Sequence, residues 1–160
     1  MISYILAVLC SVLFLVADQI SKYFVNKTFY LGETREFLNG FIDLTYIHNR
    51  GGAWGIMYGK TWFLLIITAV MLTVCVFVLI KYRKSKLLFW AVMLVLSGGI
   101  GNMIDRIFRD GNVVDFLHFE FFPTFPVFNI ADCAVVIGAG LLILYYIIDM
   151  VKEKKNNENS

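Results

Sequence analysis

Four uncharged, apolar runs punctuate the chain, at residues 1–17, 61–80, 87–104 and 133–148. A helix rises about 1.5 Å per residue, so about 20 residues cross a hydrocarbon layer of roughly 30 Å. The fourth run holds 16 residues and reaches 21 when FNIAD (128–132) is joined to it. The pattern predicts an all-α membrane protein with four transmembrane helices. The first run lacks a basic start and an A-x-A-like cleavage site, so it reads as a retained helix rather than a removable leader.

The connections carry a different pattern. Segment 26–60 is too long for a plain connector. Within it, REFLNGFIDLTYIHN (35–49) sets Asn39 and Gly40 between apolar residues, a hairpin signal. GGAWG (51–55) permits a sharp turn or a close backbone approach. A small extracytoplasmic β element at the outer membrane surface is expected here. DFLHFEFFPTFPVF (115–128) holds six phenylalanines and two prolines and is expected to be an interfacial loop dipping into lipid. The tail, 151–160, is expected to be cytoplasmic and disordered, leaving 1–150 as a single domain.

Composition agrees: 59% of the 160 residues are hydrophobic and 16% charged, too apolar for an ordinary soluble domain. The net charge of +2 gives no ground for a nucleic-acid partner. Basic residues are densest in KYRKSK (81–86) and at Lys152, Lys154 and Lys155. Basic density marks the cytoplasmic side, so both termini and that hairpin are expected inside and the other two loops outside. Cys10, Cys75 and Cys133 fall in or at the edge of apolar runs and read as free thiols. His48 and His118 stand alone, without metal-ligand spacing.

Direction now places the polar residues. The first helix runs outward to ADQISK, bringing Asp18 and Lys22 to its outer end. The third runs outward to GGIGNMIDR, bringing Asn102, Asp105 and Arg106 to the same level. The fourth starts there with Asn129, Ala131 and Asp132, and Asp115 lies in the preceding loop. Ionisable groups are expensive near a bilayer interior, so their gathering on one rim points to a site. Each has a structural alternative. Asp18 and Lys22 form a favourable i,i+4 pair. Arg106, four residues after Asn102, can snorkel, pair with an acid or position a substrate. Gly98, Gly99 and Gly101 suit tight helix packing. Asn129 and Asp132 have capping-box spacing. If Asp115 and Asp132 meet, they would share a proton, and one could activate water while the other protonates a scissile carbonyl. A small proton-coupled membrane transporter using the same carboxylates is the alternative, and a non-catalytic membrane scaffold a third. The D-[TS]-G and GxGD signatures of other aspartic proteases are absent.

DQISK (18–22), NRGGAW (49–54), GGIGNMIDR (98–106), GNVVDF (111–116) and FNIAD (128–132), in that order, resemble lipoprotein signal peptidase, or signal peptidase II. NRGGAW departs from the family's usual N-x-G-A-A-F at Gly52 and Trp54. The resemblance implies a bacterial plasma-membrane aspartic endopeptidase without metal or organic cofactor. It would cleave diacylglyceryl-modified prolipoproteins before the lipidated cysteine, near the outer leaflet, among membrane lipids and with no obligate protein partner. Asp115 and Asp132 would be the catalytic pair. Asp18, Lys22, Asn49, Asn102, Asp105, Arg106, Asn129 and Ala131 would support it or bind around it. Phe116, Phe119 and neighbouring aromatics would line the lipid-facing approach.

Overall fold

The computed structural model describes residues 1–82 and 85–158. Arg83 and Lys84 of the basic hairpin, and Asn159 and Ser160 of the tail, lie outside the described residues. Four helices form, α1 (Ile2–Thr28), α2 (Thr61–Lys81), α3 (Lys86–Phe108) and α4 (Ile130–Glu158), each long and apolar enough to cross a membrane. Three strands, β1 (Thr34–Leu38), β2 (Ile42–Asn49) and β3 (Val113–Phe119), make an antiparallel sheet in that order. The chain is a multi-pass membrane protein with a small sheet at one end of its helices.

Helix α3 is the centre of the bundle, packed against α1, α2 and α4. Glycine sets the spacing between α3 and α4. A Cβ on Gly98 would lie 2.2 Å from the Ala131 carbonyl oxygen, and one on Gly138 would lie 2.7 Å from that of Ala91. Small residues let the two backbones meet, as membrane helices require where no hydrophobic force joins them. Helix α2 buries none of its residues in the protein, so its apolar surface is left for lipid.

The expected hairpin forms at Asn39–Gly40, where Gly40 takes the left-handed φ of +74°. Strand β3 corrects the expectation that 115–128 is loop throughout, since 115–119 lie in the strand. Its β-branched and aromatic residues pair with β2, Asn49 opposite Val113 and Ile47 opposite Asp115. Phe116 is corrected too: it packs with Val25, Tyr46 and Val114 beneath the sheet rather than facing lipid. The Tyr46 hydroxyl fastens the sheet to α1 through the Asn26 side chain, and meets His48 Nε2 at 2.7 Å. Past β3, Phe119 touches Phe41, Phe121, Phe125 and Phe128 in one aromatic cluster.

Helix α4 continues to Glu158, so the described part of the tail is helical. Lysine and glutamate at 152–155 are good helix formers, and basic residues near a helix C-terminus suit its dipole.

Candidate active site

Backbone pairing explains why Asp115 and Asp132 converge. Phe116 and Leu117 donate to the Phe128 carbonyl at 2.9 and 2.8 Å, and Phe128 donates back to Leu117 at 2.9 Å. The chain thus enters α4 directly beside β3. Asn129 and Asp132 then close a reciprocal capping box. The Asp132 N–H donates to Asn129 Oδ1 at 2.9 Å, and the Asn129 N–H donates to Asp132 Oδ2 at 3.1 Å.

The same asparagine reaches the other acid. Asn129 Nδ2, fully buried, donates to Asp115 Oδ1 at 2.6 Å. Asp115 Oδ2 accepts from Asn49 Nδ2 at 2.9 Å, and Asp132 Oδ1 from Asn102 Nδ2 at 2.8 Å. Every oxygen of both carboxyl groups therefore has an amide donor. Asp115 is 2% exposed. Burial, and then the neighbouring Asp132, push its carboxyl up to about 7, against the hydrogen bonds from Asn49 and Asn129 and the charge of Lys22.

A second cluster holds this one from behind. Lys22 Nζ lies 2.8 Å from Asp18 Oδ2 and 3.2 Å from Asp105 Oδ2, all three side chains wholly buried. It also donates to Asn102 Oδ1 at 3.0 Å, which turns the Asn102 amide nitrogen toward Asp132. Asp18 Oδ1 accepts from the Ala131 N–H at 2.8 Å, and Asp105 Oδ2 from the Val114 N–H at 3.0 Å. Each supporting carboxylate thus grips the backbone next to one member of the pair. Buried charges persist only when so closely matched. Arg106 donates to the carbonyls of Gly51 at 2.9 Å and Asn102 at 3.5 Å, tying the GGAWG loop to α3.

Asp132 also lines two clefts. One, of about 200 Å³, lies between α2, α3 and α4 and includes Thr68, Leu72, Gly99, Asn102 and Arg106. The other, of about 310 Å³, is apolar apart from Asp132, with Phe119, Phe125, Phe128, Val136 and Ile137 in its wall. Among the described residues no group of three or more His, Cys, Asp or Glu side chains is placed to hold a metal ion.

Residues 10–148 match the family model for Signal peptidase (SPase) II. The chain belongs to the signal peptidase II family. Over 154 residues it is 43% identical to a lipoprotein signal peptidase of Enterococcus faecalis, covering 94% of each chain. Two solved structures share the fold, both described as a bacterial membrane enzyme structure obtained by the in meso method. The one at 2.3 Å resolution has a TM-score of 0.85 at 36% identity, over 90% of this chain and 88% of that one. The one at 1.9 Å resolution has a TM-score of 0.80 at 37% identity, over 88% and 91%.

Within this member of the signal peptidase II family, all ten residues singled out from the sequence meet at the sheet end of the bundle. Asp115, Asp132, Asn49, Asn102 and Asn129 form one hydrogen-bonded knot. Asp18, Lys22, Asp105 and Ala131 form the cluster behind it. Arg106 joins it to the loop. The structural alternatives and the site coincide: the capping box, the i,i+4 pair and the glycine packing are all present. Gln19 is a further participant. Its Nε2 donates to Asp18 at 3.1 Å, Asp105 at 3.2 Å and the Gly101 carbonyl at 3.1 Å. Its signal in the sequence was its place inside DQISK, between Asp18 and Lys22. Arg109, 3.3 Å from Asp105, had only its i,i+4 spacing from that acid as a signal.

Proposed function

We propose that this chain is an aspartic endopeptidase that cuts diacylglyceryl-modified prolipoproteins immediately before the lipidated cysteine, with Asp115 and Asp132 activating the attacking water. The observation that carries this reading is the Asn129 residue, whose side chain and backbone hold both carboxyl groups in one buried site. Two carboxyls so placed keep one proton between them at neutral pH.

The ionised carboxyl takes a proton from water as the water oxygen bonds to the scissile carbonyl carbon. The protonated carboxyl gives its proton to the carbonyl oxygen, leaving a neutral gem-diol. Collapse then breaks the C–N bond. One carboxyl protonates the departing nitrogen, and a diol hydroxyl returns its proton to the other. The signal peptide leaves with a new carboxyl terminus, the cysteine with a free amine, and the pair again holds one proton. Asn49, Asn102 and Asn129 aim the carboxyl oxygens throughout, which keeps reorganisation small.

The surroundings suit such a substrate. The cleft between α2 and α4 has apolar walls, Leu72, Val95 and Val135, suited to an apolar peptide segment, and the aromatic cleft suits acyl chains entering from lipid. Both flank Asp132, so peptide and lipid meet at the bond to be cut. Residues 1–150 act as one catalytic domain. Lys81, Lys86, Lys152, Lys154 and Lys155 lie at the bundle end away from the sheet, which favours cytoplasmic termini and a site near the outer leaflet.

The test is incubation of the purified chain with one prolipoprotein in diacylglyceryl-modified and unmodified forms, with and without EDTA. The modified form is expected to be cut before its cysteine, the unmodified form far more slowly, and EDTA to change neither rate. Equal cutting of both forms would remove the lipid from the recognition.

A further inference from the structure

The groove that begins at Asp132 does not end there. A second cleft, of about 300 Å³, lies further along the same α2–α4 gap, over the α3 residues Leu88 and Val92. The wall residues run in step: Thr68, Leu72 and Val135 in the first cleft give way to Val78, Tyr82 and Leu142 in the second. The far end is closed by Tyr82, Tyr145, Tyr146 and Asp149, and Asp149 is the one charged residue in that lining. A carboxylate among aromatic faces is a receptor for an ammonium or guanidinium group.

Length argues for the same occupant. Asp132 and Asp149 are 17 residues apart on one helix, about 25 Å at the helical rise. A signal peptide has a basic amino-terminal end, an apolar stretch of about 7–15 residues and a short polar link to the scissile bond. A helical segment of that length, with its scissile bond at Asp132, brings its basic end level with Asp149.

Resting on the function proposed above, we infer that Asp149 receives the basic amino-terminal end of the substrate's signal peptide, at the far end of the groove from the cleavage site. Lys81, Lys86, Lys152, Lys154 and Lys155 belong to the same end of the bundle and outnumber Asp149 and Glu153, so the peptide's positive charge is favoured at Asp149 and opposed beside the lysines. The groove thereby reads register: a charge about one membrane thickness from the scissile bond is held, and one out of step meets lysines. Asp149 is exposed and makes no tertiary ion pair among the described residues, so its replacement leaves the bundle intact.

The test is a cycle of KM and kcat measurements with lipid-modified prolipoproteins whose amino-terminal lysines are kept, changed to glutamine or changed to glutamate. For the lysine substrate, Asp149→Asn should raise KM about threefold and Asp149→Lys about tenfold, with the smaller change in kcat. For the glutamine substrate the three enzymes should converge, and for the glutamate substrate Asp149→Lys should be the best. Equal shifts across the three substrates, or none, would overturn the assignment and leave the groove to lipid. Failure of the wild type to cut any of the three would overturn the function itself, and this inference with it.

Discussion

Replacing Asp115 by asparagine should stabilise the folded protein above neutral pH while abolishing its activity. Folded Asp115 keeps its proton up to about pH 7, whereas an ordinary aspartate releases it near 3.8. Between those values the folded state binds more protons than the unfolded chain. Stability present in full below 3.8 is therefore lost as pH rises through about 7. At about 1.4 kcal/mol per pH unit the full loss is roughly 4 kcal/mol. With Asp115 only 2% exposed, solvent screening does little to reduce it. Asparagine offers one acceptor where the carboxyl offered two, so the loss of one hydrogen bond, about 1 kcal/mol, offsets part of the gain. The variant should then exceed the wild type by roughly 3 kcal/mol at pH 8 and roughly 1 kcal/mol at pH 5, the two converging near pH 4. In a chain of this size about 3 kcal/mol corresponds to on the order of 10 °C in Tm. Thermal unfolding in detergent between pH 5 and pH 8 reads the difference. A variant no more stable than the wild type at pH 8, or a gap that does not change with pH, would refute the reasoning.

Other perturbations separate the supporting parts. Gly98→Ala puts a methyl against the Ala131 carbonyl, closer than any real contact, so α3 and α4 must part. Its unfolding temperature should drop by the equivalent of about 1–3 kcal/mol and its cleavage rate should fall, while Gly140→Ala, which meets nothing within 4 Å, should change neither appreciably. Lys22→Met strands two fully buried carboxylates and should cost about 3–5 kcal/mol in the same thermal assay. Cleavage rate should decline above about pH 7 as Asp115 gives up the shared proton, so a rate still climbing at strongly alkaline pH would argue for another base.

The sequence disclosed the parts of this molecule whose physics is local. Uncharged runs of membrane length announced the four helices, and Asn39–Gly40 announced the first hairpin. The reach of α1 was less visible, because a charge ends an apolar run without ending a helix. Lys22 pairs with Asp18 within α1 and with Asp105 across to α3, and α1 continues past them to Thr28. Strand β3 was hidden for a related reason. Val113 to Phe116 are buried throughout, so the strand shows no alternation of polar and apolar positions. The rim that gathers the polar groups could be traced from helix direction alone. The device that joins Asp115 to Asp132 could not, since one asparagine serving as helix cap and carboxyl donor is a property of the folded backbone. The bonds of Gln19 to Gly101 and Asp105 stayed concealed likewise, since those partners are more than 80 residues away in sequence.

The most direct measurement is single-turnover cleavage of a lipid-modified prolipoprotein by Asp115→Asn and by Asp132→Asn, each shown to be folded by its thermal transition. If the two carboxyls share the work of activating water, each variant should lose at least about a thousandfold in rate while still binding substrate. Cleavage within tenfold of the wild type by either folded variant would contradict the account.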